Sequence, residues 1–190
     1  ISRLYDATKG TVLLNGKDIK SFSAAERTQK IGFILQEPFL FTGTVKENIL
    51  YGNSQYKEVS DEKLEEIIEE ANLNALLAIF DEGLSTQITS GSDSISLGQK
   101  QLIAFMRAVL RNPELLILDE ATANIDTITE QLLANILNKL SKETTLVIIA
   151  HRLNTIENAD EIYFVNEGEV QQAGTLDDAL NMLLKGKRVS

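Results

Sequence analysis

Apolar residues along the chain recur with two periods. Leu64, Ile67, Ile68 and Ala71 fall on one helical face, with Glu65, Glu66, Glu69 and Glu70 on the other. This predicts an amphipathic helix whose acidic side is solvated. Leu76, Leu77 and Phe80 carry the apolar surface onward. Ile103, Met106, Ala108 and Leu110 predict a second helix, opened at Ser96 and stopped by Asn112-Pro113. A third runs after Asp126 to about Leu140 with Leu132, Leu133, Ile136 and Leu140 on one side, and Thr175 caps a last one carrying Leu176, Ala179, Leu180 and Leu183. The other pattern is the short unbroken apolar run. Ile31 to Leu35, Leu115 to Leu118 and Thr145 to Ala150 read as strands, the last two buried on both faces.

Weaker signals fill the gaps. Ile1 to Tyr5 has the apolar spacing of a last helical turn. Thr11 to Leu14 is a strand before an Asn15-Gly16 turn, and Ser23-x-x-Glu26 is a capping box for AAERTQK. A short helix spans Val45 to Leu50, next to the apolar cluster Phe39-Leu40-Phe41. Residues 54 to 63 form a polar connection, and Thr86 to Asp93 form a loop. Glu161 to Val165 and Glu169 to Gln172 form a hairpin about Glu167-Gly168. Strand and helix alternate between residues 31 and 150, which predicts an α/β fold with a mostly parallel core.

Composition narrows the function. The 190 residues suit one domain with a real core. A net charge of −10 argues against a nucleic-acid-binding surface, which needs a basic face. No apolar stretch is long enough to span a bilayer, and there is no cysteine for a disulfide or thiolate metal site.

Two stretches carry chemistry. The run Leu115 to Leu118 ends in Asp119 and Glu120. Ligands of parallel sheets sit beyond such strand ends, where an acid pair can serve a metal ion and polarise a water molecule. A capping aspartate followed by a solvated glutamate is the plainer reading. Ser96 before Gly98 leaves backbone N–H groups at the positive end of a helix, which suits a phosphate. Taken alone, the serine is an ordinary N-cap. His151 ends the run Thr145 to Ala150 as Asp119 ends its own, and Gln36 ends Ile31 to Leu35.

SLGQKQ, a helix ending in RNP, and then LLILDEATANID resemble the signature motif, Walker B and D-loop of ATP-binding cassette (ABC) ATPases. ISRLYDATKGTVLLNGKDI, FILQEPFLF, FTGTVKENILYGN and VIIAHRL are similar to other exporter segments, so the likeness covers nearly the whole chain. The resemblance implies a P-loop NTPase-like, mostly parallel sheet with helices on both faces. It adds a helical subdomain at about 40–110 that carries the signature, within a partial nucleotide-binding domain over 1–190 whose N-terminal strands are missing. It implies ATP and Mg2+ as ligands. Asp119 and Gln36 would attend the metal, Glu120 the attacking water, and His151 the γ-phosphate. Ser96, Leu97, Gly98 and Gln99, with Asp126 of the D-loop, would serve ATP, the signature residues that of the opposite subunit. The implied partners are transmembrane domains and a second nucleotide-binding domain, head to tail, at the cytoplasmic face of a membrane.

Three departures stand out. Leu97 replaces a common glycine, and Ser90 replaces a frequent glutamate. No G-x-x-x-x-G-K-[ST] occurs, so the phosphate cradle is absent from this sequence. The opening at Ile1 predicts that this loop lies just upstream. Rival readings are a soluble ABC-type ATPase acting on DNA or ribosomes and a degenerate partner-binding domain. The first predicts basic surface or coiled-coil insertions that the sequence lacks. Glu120 and His151 count against the second.

Overall fold

The computed structural model describes residues 3, 5–56, 58–89, 95–119, 127–140, 144–149, 159–174 and 176–186. The chain divides into two compact units, residues 1–147 and 148–190.

The first unit opens with a hairpin of β1 (Leu13–Leu14) and β2 (Lys17–Asp18). Asn15 and Gly16 both take positive φ, 49° and 76°, as a two-residue hairpin turn of the primed kind requires. The helical turn expected near Ile1 does not form at the described positions. Arg3 takes a left-handed φ of 59° and pairs with Asp6, and a right-handed helix cannot pass through that conformation. α1 (Ala24–Lys30) has the expected capping box between Ser23 and Glu26.

β3 (Ile31–Ile34) follows α1 directly. β4 (Gly43–Thr44) feeds α2 (Val45–Leu50) through a second capping box, between Thr44 and Glu47. α3 (Asp61–Glu70) buries Leu64 and Ile68 and exposes its glutamates. α4 (Asn74–Leu77) comes next. β5 (Gln87–Ile88) then pairs antiparallel with β4, where the sequence suggested only loop. Two-residue strands carry no alternation for a periodicity to detect. α5 (Leu97–Val109) leads to β6 (Leu115–Asp119), α6 (Thr127–Lys139) and β7 (Thr145–Ile149).

The central sheet has the order β3-β6-β7, and β3 runs parallel to β6. Side chains alternate between its faces. Ile34, Leu116 and Leu118 join the large core built by α2 to α6, while Ile31, Leu115 and Ile117 join a smaller cluster with Ile19. Gly32 sits where a Cβ would come 2.8 Å from Leu116 Cδ1 and 3.2 Å from Pro113 Cγ, so a bare backbone lets β3 approach. β7 is less buried than its sequence suggests. Its ends are exposed and its middle half-buried, because among the described strands it has a neighbour on one side only.

The second unit holds a hairpin of β8 (Ile162–Asn166) and β9 (Glu169–Ala173), turned at Glu167 and Gly168 with φ of 49° and 83°. α7 (Leu176–Gly186) packs on β8.

Candidate functional site

The register of β3 and β6 sets the site. Ile34 lies opposite Leu118, so both strands end at the same edge of the sheet. Asp119 is the last residue of β6 and is half-buried, and Gln36 follows β3 and is exposed. Ligands of parallel sheets sit at this edge. A carboxylate and an amide oxygen are hard donors of the kind magnesium takes, along with several waters. Among the described residues no three His, Cys, Asp or Glu gather into a metal-holding group. Glu120, Asp126, His151 and Ser90 lie outside the described residues.

Ser96 caps α5 as the sequence suggests. Its Oγ accepts from the Gln99 backbone N–H at 3.1 Å, and Gln99 Oε1 accepts from the Ser96 N–H at 2.9 Å. The cap uses both side-chain oxygens as acceptors, so the serine O–H and the glutamine NH2 can still donate to an anion here, as can backbone N–H groups. Helix geometry leaves those of Leu97 and Gly98 without intrahelical partners. Ser96 is exposed, Leu97 and Gln99 half-buried, and Gly98 buried. Ser96→Ala should lower stability by about 1 kcal/mol. Urea unfolding checks this, and an unchanged midpoint would contradict the cap.

Two α5 residues that the sequence reading passed over hold the surroundings together. Gln101 is buried, and its Nε2 donates to the Gln36 carbonyl at 3.0 Å. Its signal was available: it shares a helical face with Gly98, Leu102, Phe105 and Val109, where a polar residue is out of place. Arg107 Nε donates to the Asn48 carbonyl at 2.7 Å and its NH1 to the Phe39 carbonyl at 3.1 Å. The guanidinium lies 5.6 Å from the Tyr51 ring centroid. Burial, helped by repulsion from Arg111, lowers the Arg107 pKa to about 10, so it stays charged at neutral pH.

Asn48 fixes the same loop from below. Its Nδ2 donates to the carbonyls of Phe41 and Thr44, both at 3.0 Å. Above it lies an apolar surface. Phe39 is 72% and Tyr51 57% exposed, and the Phe41 ring meets Tyr51 at 5.2 Å. Leu40, Val45 and Ile49, the apolar neighbours of Phe39 and Phe41 in the sequence, are buried in the core instead. Among the described residues no helix is long and apolar enough to cross a membrane.

A parallel sheet with oxygen donors at its carboxyl edge, beside a capped helix with spare N–H groups, defines an α/β domain of nucleotide-binding architecture. The chain belongs to the ABC transporter family, whose profile matches residues 1–123. It is 43% identical over 180 residues to an ABC transporter ATP-binding protein, YfiC, of Bacillus subtilis (strain 168), covering 95% of this chain and 29% of that protein. It is 39% identical over 182 residues to multidrug resistance protein 1 of Entamoeba histolytica, covering 96% of this chain and 14% of that protein. A solved bacterial Atm1-family ABC exporter with ATP bound superimposes with a TM-score of 0.79 at 30% identity, over 97% of this chain and 31% of that one. The chain thus spans less than a third of each of these relatives.

Proposed function

We propose that this chain is the ATP-binding and ATP-hydrolysing domain of an exporter, coupling hydrolysis to movement of a substrate across a membrane. The observation that carries the reading is the register of Ile34 with Leu118, which brings Gln36 and Asp119 to one sheet edge. Asp119 and Gln36 hold Mg2+, directly or through water. When bound, the ion neutralises phosphate charge. Glu120 accepts the proton of the attacking water, and His151 donates to the γ-phosphate. Ser96, Leu97, Gly98 and Gln99 bind the ATP of a second, head-to-tail copy, and Asp126 of the D-loop motif serves ATP as well. The helical part, about 40–110, carries that surface. Residues 1–190 contain no Walker A motif, so this reading requires a phosphate cradle that they do not supply. Residues 1–190 alone should therefore bind ATP more weakly than micromolar.

Phe39, Phe41 and Tyr51 dock the transmembrane domains at the cytoplasmic face of the membrane. Phe39 and Tyr51 are exposed and the half-buried Phe41 packs on Tyr51, an apolar surface of the kind that serves an interface. The test is ATP turnover and transport by the full-length protein in lipid vesicles. Phe39→Asp removes an exposed ring and leaves the core intact. It should lower transport about tenfold, corresponding to ~1.4 kcal/mol, while ATP still binds. Parental transport by this variant would remove the docking assignment, and no ATP turnover by the parent would remove the functional reading.

A further inference from the structure

Gln101 is the polar exception on the buried face of α5. Leu102, Ile103, Phe105 and Met106 around it are all at most 1% exposed, and so is Gln101. Its Nε2 donates to the Gln36 carbonyl at 3.0 Å, while its Oε1 has no hydrogen-bond partner among the described residues. The amide cannot be turned round to relieve this, because Oε1 would then face the Gln36 carbonyl oxygen. A buried acceptor left unpaired weakens a fold, and an apolar side chain of the same size would not. Stability alone does not account for a glutamine here.

Its position does. Gln101 sits just over one turn beyond Ser96 on the helix that the serine caps. It reaches across to the backbone of Gln36, the second residue after β3 at the sheet edge. One side chain thus joins the signature helix to the loop carrying Gln36. We propose that Gln101 is a positioning residue: its amide tethers the Gln36 backbone, so that α5 sets where the Gln36 side chain lies beside Asp119. The proposal rests on the reading of Gln36 as a residue that attends the metal and the nucleotide. Small displacements of such a group are costly in rate.

Gln101→Met keeps the length of the side chain while removing both the donor and the orphaned acceptor. In the full-length protein it should lower kcat for ATP about tenfold or more, with KM for ATP little changed. The thermal midpoint should hold or rise. Amide hydrogen exchange in residues 35–41 should speed up while that of α5 does not. The same change made in a Gln36→Ala background should cost little further, since no side chain remains there to be placed. A purely structural Gln101 would instead lower the thermal midpoint and reduce activity equally in both backgrounds, which would overturn the proposal. So would parental kcat in Gln101→Met when Gln36→Ala is slow. Parental turnover in Gln36→Ala itself would sink the reading of Gln36 first and the tether's role with it.

Discussion

Replacing Glu120 with glutamine in the full-length protein is expected to slow ATP turnover about 10²- to 10⁴-fold, the cost of losing a positioned general base. The change keeps the shape of the side chain and removes its charge. On the proposed reading Asp119, the neighbouring residue at the end of β6, would still offer its carboxylate to a metal. ATP affinity should therefore survive while the chemical step fails, so that kcat falls and nucleotide binding does not. Turnover at the parental rate would refute the role given to Glu120. Loss of binding together with turnover would mean that the residue serves the metal or the fold instead.

The second large effect is structural. Phe105→Ala should destabilise the chain by about 3–5 kcal/mol, a large share of the roughly 5–15 kcal/mol that holds a domain together. Phe105 is 1% exposed in the cluster that joins α3, α5 and α6 to the inner face of β3 and β6. Its ring cannot be replaced by relaxation of one neighbour, because that core draws on so many elements. Denaturant unfolding measures the effect. A loss below about 1 kcal/mol would show that the site collapses around the smaller side chain. Because α5 carries both the Ser96 cap and the Gln101 tether, the variant should also impair the site from within the core.

Where local rules decide structure, the sequence could be read directly. Ser23 with Glu26 forms the capping box its spacing implies, and Ser96 caps α5 as its place before the helix implies. Asn15-Gly16 and Glu167-Gly168 turn hairpins because both positions in each pair take positive φ. The run Leu115 to Leu118 forms the buried β6, and its pairing with β3 gives the parallel sheet. What depends on distant partners was not legible. Gly43–Thr44 pairs with Gln87–Ile88, two short segments far apart in the chain with no pattern of their own. Val45 and Ile49 look like companions of Phe39 in the sequence, yet α2 turns them into the core and leaves Phe39 outside. The grip of Arg107 on the Phe39 and Asn48 carbonyls has no local signal either, because its acceptors are backbone atoms some sixty residues away. At the site, motif order pointed to Gln36, Asp119 and Ser96. The tether that joins the first of these to the helix of the third became visible only with the packing of α5 against β3.

The measurement that bears most directly on the account is the mass in solution of the Glu120→Gln domain with its Walker A segment, by light scattering with and without Mg-ATP. If Ser96, Leu97, Gly98 and Gln99 close on the nucleotide of a second copy, ATP that is held without turnover should double the mass. Adding Ser96→Arg should return it to that of a monomer while ATP stays bound. A Glu120→Gln domain that binds ATP and remains monomeric would contradict the head-to-tail site.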